Sequence, residues 1–274
     1  MSIQITPRRI HFQFNNNIPK HWYNQSAVHT YHVNIFGLFI PDGEEFFIRS
    51  AKPFLQHITD EKLYGEVRAF LKQEANHRRE HMKYAVHTIY KHYPNLKQKN
   101  YKFPIIQSLA WLGGAKFRLA MTAAGEHFTA ILADYYLQNP HYFEGVPEPI
   151  KEMWHWHFVE EIEHKAVVFD MLKALKIGYL RRSTSFILMS LYFFSGYIRP
   201  FCHMARTDNN LFSLKFLKTA FQFYWTNPGV LRKLLAPYFS YLKPNFHPWQ
   251  HNNADLIESW SAKLNELERK KSAA

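Results

Sequence analysis

Cysteine is almost missing from this chain. Cys202 stands alone, so no intramolecular disulfide can form. Thiolate-held structural zinc and iron–sulfur clusters are excluded with it, and the usage fits a reducing, cytoplasmic setting. Glycine is scarce, at 10 residues in 274, and the pattern is one of long helices with few strands. No apolar run reaches the roughly 20 residues of a membrane-spanning helix. The most apolar stretch, 183–198, lies between Arg182 and Arg199. It reads as a buried helix, with an interfacial segment anchored by the two arginines as the alternative. The start, Met1 to His11, has no apolar core of a secretory signal. Acidic residues are in deficit, 22 against 34 Lys and Arg, giving a formal net charge of +12. That excess favours anionic surroundings such as a membrane surface or an acidic partner. The basic residues are dispersed and form no nucleic-acid module, so nucleic acid is not an expected partner.

What is abundant is apolar and aromatic, 47% and 17% of residues, ample for a sizeable core. Residues 1–27 read as an irregular N-terminal arm. An apolar segment over 28–40 ends at Pro41-Asp42-Gly43, a turn signal. Thr59-Asp60-Glu61 caps a helix of about 30 residues that ends near Pro94. A Lys-, Asn- and Pro-rich loop covers 94–104. One helix is predicted over 105–138, and another from Pro147 and Pro149 to Gly178. Beyond Gly178 come an apolar helix (180–204), two shorter amphipathic ones (210–225 and 229–243) and a polar final helix (252–270) whose end frays. The predicted fold is all-α: a bundle over 28–178 with a C-terminal helical extension, 179–274, packed on it.

Glu-x-x-His occurs at Glu74/His77 and at Glu161/His164. Each puts a carboxylate and an imidazole on one helix face. A third copy, Glu152/His155, shows that the motif alone proves little. Helix phase separates them. At about 100° per residue, His157, Glu161 and His164 fall within about 60°, whereas Glu152 lies opposite. Glu160 and Glu163 also point elsewhere. Phe70, Glu74, His77, His81 and Tyr84 form a stripe on the earlier helix. Carboxylates in a core stripe are costly unless paired or metal-bound. A buried ion-pair network or a solvated face are the other readings. Glu44 and Glu126, 30 and 35 residues before the two motifs, complete the Glu, Glu-x-x-His, Glu, Glu-x-x-His order of a ferritin-like dinuclear carboxylate site.

Carboxylate and imidazole donors suit iron, with manganese as the alternative. The metal set is therefore Glu44, Glu74, His77, Glu126, His157, Glu161 and His164, for two Fe ions. Glu74, Glu126 and Glu161 are also potential bridges. His157 adds a third imidazole, as a ligand or as a donor to a carboxylate. His81 is a weaker candidate, and His127 points about 100° away from its neighbour Glu126. Glu45 is the alternative to Glu44, which follows the Pro-Asp-Gly turn and so falls at a helix start or kink. Leu119, Thr122, Thr129, Ala130 and Ala133 share the Glu126 face. Small residues there either leave room for substrate or let helices pack closely. Trp154 and Trp156 flank the second motif and read as cladding or as ordinary core.

The spacing of His157, Glu161 and His164 resembles that of the arylamine N-oxygenase di-iron proteins. Four runs together resemble the bacterial family of predicted metal-dependent hydrolases over about 28–245. They are Pro41 to Phe47, Gln73 to His81, Gly125-Glu126-His127 and Glu160 to Asp170. The family's name implies hydrolysis, whereas the ligand order resembles di-iron oxidases and oxygenases. The leading expectation is a dinuclear non-haem iron enzyme that activates dioxygen and oxidises an apolar or aromatic small molecule, served by a reductase. A metal-dependent hydrolase is the alternative. A non-enzymatic metal-storage or membrane-associated protein is the third class, motivated by 183–198 and the basic balance. Peripheral membrane contact and a homodimer accompany these expectations.

Overall fold

The computed structural model describes residues 3–15, 17–98 and 104–272, and every regular element among them is helical. In chain order the helices are α1 (Ala27–Ala51), α2 (Glu61–Tyr84), α3 (Tyr90–His92), α4 (Asn95–Gln98), α5 (Pro104–Leu112) and α6 (Gly114–Gln138). There follow α7 (Glu148–His164), α8 (Val167–Ala174), α9 (Tyr179–Thr207), α10 (Leu214–Phe221), α11 (Val230–Ser240) and α12 (Ala254–Ser272). The protein is all-α. None of the described helices is long and apolar enough to cross a membrane.

Four helices form the bundle: α1 packs on α2 and α6 on α7, and the two pairs meet through α1–α6 and α2–α7. Short connections join the members of each pair, which places them as antiparallel neighbours. Asp60 caps α2, its side chain accepting from Leu63 N at 2.7 Å. The helical path continues past Tyr84 through a π-turn, Ala85–Ile89, into α3. α9 lies across α6 and α1, α11 against α6, and α12 against α7.

Three boundaries differ from the sequence reading. Pro41-Asp42-Gly43 is no turn: Pro41 lies inside α1, which runs unbroken to Ala51. An interior proline costs about 3 kcal/mol, and the burial of α1 against α2, α6 and α9 outweighs it. Glu44 is consequently mid-helix. The helix expected over 105–138 is split at Gly113-Gly114, where Gly114 takes φ +79°, a conformation that favours glycine. The helix expected to reach Gly178 stops at His164, and α8 resumes at Val167. The loop read over 94–104 lies partly outside the described residues; its described part includes α4. The fraying end likewise falls partly outside, and α12 is helical to Ser272.

The described residues among 3–26 carry no helix, yet Ile10, Phe12, Phe14, Ile18, Trp22 and Tyr23 are buried in the core. This segment is pinned to α2, where Glu80 Oε2 accepts from Phe12 N at 3.1 Å.

Candidate metal centre

Each helix of the bundle sends carboxylates inward at one level. Glu44 comes from α1, Glu74 and His77 from α2, Glu126 from α6, and His157, Glu161 and His164 from α7. All seven are buried. The structure brings together every residue of the set read from the sequence. His164 Nε2 lies 3.1 Å from Glu126 Oε2, 3.3 Å from Glu74 Oε1 and 3.5 Å from Glu161 Oε2. His77 Nδ1 lies 3.5 Å from Glu161 Oε1, 3.8 Å from Glu74 Oε1 and 3.9 Å from Glu44 Oε1. His157 Nε2 is 3.4 Å from Glu161 Oε1. The cluster therefore has two halves. Glu44, His77 and His157 form one, Glu126 and His164 the other, and Glu74 and Glu161 reach both.

The donor atoms fit metal ions. Both carboxylate oxygens of Glu44, Glu74 and Glu126 are buried without a hydrogen-bond partner, as are Glu161 Oε2, His77 Nδ1 and His164 Nε2. Polar atoms left so are costly, and all of these belong to one cluster. Groups of three donors within 4.8 Å include Glu74/Glu161/His164, Glu44/Glu74/His77 and His77/His157/Glu161. Four carboxylates match the charge of two divalent cations.

The electrostatics follow. Burial, then repulsion from Glu161 and Glu126, holds Glu44 well above the usual carboxylate range, and Glu74 is raised for the same reasons. Burial pushes Glu126 up to about 7 against the opposing pull of His164. Burial also pushes on Glu161, but His164, His157 and His77 outweigh it and hold that carboxyl below its ordinary value. Burial lowers His157 and His81.

A second layer fixes the rings of His77 and His164. His77 Nε2 is 3.0 Å from Glu160 Oε2, and His164 Nδ1 is 2.9 Å from Gln73 Oε1. Donating outward, each ring turns its other nitrogen to the cluster. Gln73 Nε2 donates to Glu163 Oε2 at 2.8 Å. Arg8 joins the two arms, donating to Glu160 Oε1 at 3.2 Å and to Glu163 Oε1 at 2.8 Å. The orientation of Glu160 and Glu163 away from the ligand face thus serves the site. None of Arg8, Gln73, Glu160 and Glu163 belongs to the sequence-derived set. A signal for two of them exists: Gln73 and Glu160 each stand one residue before the glutamate of a Glu-x-x-His motif.

The remaining candidates separate clearly. Glu45 is partly exposed and pairs with Arg49 and Arg78, so Glu44 is the inward glutamate. His81 Nε2 is 3.2 Å from His157 Nδ1 and backs that ring. His127 points away, to the Pro237 carbonyl at 3.0 Å. Glu152 pairs with Lys271, and His155 packs at a tilt against Trp260. Trp156 packs edge-on to His77 and Trp154 against His81, with centroids 4.7 Å apart in both cases. Of the small-residue face on α6, only Thr129 lines the cavity. Thr122 bonds Ser50 Oγ at 2.5 Å, and Leu119, Ala130 and Ala133 are core. Close packing accounts for most of that face.

A cavity of about 350 Å³ leads from the surface to the cluster between α1, α5, α6 and α9. Glu44, Glu74, His157 and Glu161 form its floor, and Phe46, Phe47, Ile106, Met121, Met189 and Phe193 much of its wall. Trp111, 68% exposed, stands at the mouth with Arg118 over its ring. Such a chamber admits a small, largely apolar molecule.

No curated protein and no solved structure matches the chain significantly. The profile of a family described as predicted metal-dependent hydrolase matches residues 6–252, nearly the whole of it, and takes in every residue of the cluster and the layer that holds it. The chain belongs to that family.

Proposed function

We propose that this protein is a metal-dependent enzyme whose dinuclear centre is held by Glu44, Glu74, His77, Glu126, His157, Glu161 and His164 and meets a small apolar substrate in the adjoining cavity. One observation carries this reading: buried, unpartnered carboxylate and imidazole atoms from four helices converge at the floor of an apolar chamber. Bound metal ions would supply Lewis-acid activation of water or, if iron, electrons for dioxygen chemistry. The protein's own contributions are separate. Glu74 and Glu161 reach both halves and set their spacing. Glu160 and Gln73 hold the protons on the outward nitrogens of His77 and His164. Trp154 and Trp156 keep water from the back of the cluster. Phe46, Met189 and Phe193 orient an apolar group toward the floor.

Hydrolysis is the reaction that the family's description supports, and the apolar cavity wall suits an ester or amide of an apolar group. A specific observation favours a second reading, dioxygen-dependent oxidation at iron. The donors are all carboxylate and imidazole, and aromatic rings enclose their back.

Metal analysis after anaerobic loading with Fe(II), Mn(II) or Zn(II) tests the centre. The ligand set should hold about two ions per chain, and Glu74→Ala with Glu161→Ala should abolish retention. Less than about half an equivalent of every metal would overturn the centre. Ester cleavage by the Mn(II) or Zn(II) form, with no dioxygen uptake by the reduced iron form, selects hydrolysis. Dioxygen uptake without ester cleavage selects oxidation.

A further inference from the structure

We propose that the outer face of α9, with the adjoining faces of α10 and α11, docks on an anionic phospholipid bilayer beside the cavity. The inference does not depend on the reaction at the metals. α9 is only half buried. Leu180, Ile187, Leu191, Phe194 and Ile198 are 42% to 76% exposed. At about 100° per residue they fall within about 60° of one another, a single stripe along the helix. Phe194 meets Tyr238 of α11, and next to it Phe239 is exposed. On α10, Leu214, Leu217 and Phe221 repeat the pattern at helical spacing and are also exposed. Five large apolar side chains exposed in one stripe, with Phe239 beside them, mark an interaction site.

Charge identifies the occupant. Between residues 179 and 251 the chain has nine Arg and Lys and one acid, Asp208. Asp208 is turned inward, bonded to His21, Tyr31 and Tyr93. Arg181, Lys215, Lys218, Arg232 and Lys233 are exposed on the helices that carry the apolar side chains. A second copy of this chain would set one cationic face against another, which is repulsive. A bilayer with anionic headgroups supplies both what the stripe needs and what the cations need. α9 cannot span it, so the helix lies in the plane of the interface. Leu191 and Tyr192, successive on α9, stand one on the stripe and the other on the cavity wall. The cavity wall therefore adjoins the docking face, and an apolar molecule dissolved in the bilayer has a short path to the cavity.

Vesicle flotation of the full chain tests this. Protein should float with phosphatidylcholine–phosphatidylglycerol vesicles at low salt, less at high salt, and weakly with phosphatidylcholine alone. Neutralising Lys215, Lys218 and Arg232 to Gln should weaken binding about fivefold per residue. Ile187→Ser, Leu191→Ser and Ile198→Ser together should abolish it, with the circular dichroism spectrum unchanged. Failure of the wild type to float with the anionic vesicles at low salt would overturn the proposal. So would equal flotation of both variants and the wild type. A stable dimer broken by the serine variant, without vesicle binding, would assign the face to a second copy instead.

Discussion

Gln73 and Glu160 occupy equivalent places in the two halves, and each grips the histidine of the opposite helix. One is an amide and the other a carboxylate, and Arg8 ties the carboxylate arm to the amide arm through Glu163. Replacing Gln73 with Leu removes the acceptor for His164 Nδ1. Metal affinity should then fall about 10- to 100-fold, read by competition with a chelator. Arg8→Ala leaves Glu160 and Glu163 buried without their cation. It should destabilise the fold by about 3–5 kcal/mol, read by denaturant unfolding, with Arg8→Lys recovering only part because a lysine lacks the two-pronged donor. A loss under 1 kcal/mol would mean that the network is solvated. The clustered carboxylates and imidazoles themselves are legible because helix periodicity places them. Arg8 is not, since it meets Glu160 across 152 residues of chain, and no local pattern announces that contact.

At the scale of elements, α1 departs most from its sequence. Pro-Asp-Gly is a strong turn signal, yet tertiary packing carries the helix through it. Two glycines on that helix have opposite roles. A Cβ on Gly37 would sit 2.3 Å from the ring of Tyr84, which is buried and bonded to Asn34. Gly37→Ala should therefore cost about 1–3 kcal/mol, as overpacking does. Gly43 has nothing within 4 Å of such a Cβ. Gly43→Ala should stabilise the protein by about 1 kcal/mol, the helix-propensity difference. Opposite shifts in the thermal midpoint check both; a loss at Gly43 would mean that α1 is broken there. The break at Gly113-Gly114 was written in the residues, as two adjacent glycines, but the flanking apolar pattern concealed it. α9 was legible as an apolar helix. Its exposed stripe was not, because hydropathy does not distinguish a face turned to the core from one turned outward.

For the molecule as a whole, helical class and cluster position were legible, because apolar periodicity and ligand spacing are local. The burial of the N-terminal segment was not, since its apolar residues have no helical period to reveal where they go. Four buried histidines outside the cluster each weaken the fold in acid. Burial lowers His29, His127 and His155 to about 4 and His32 to about 3. None of the four belongs to the metal cluster. Their unfolded pKa is about 6.5, so between pH 6.5 and 4 the unfolded chain binds more protons than the folded one. Stability is therefore full above about pH 6.5 and falls as the pH drops through this window. At pH 5 each should remove about 2 kcal/mol and the four together on the order of 8 kcal/mol, with added self-repulsion in a chain already carrying +12. The thermal midpoint should fall steeply from pH 7 to pH 5. His127→Gln, whose amide can still donate to the Pro237 carbonyl, should lose less over the same interval. A midpoint that stays level across it would mean that these rings reach solvent and titrate freely in the folded state.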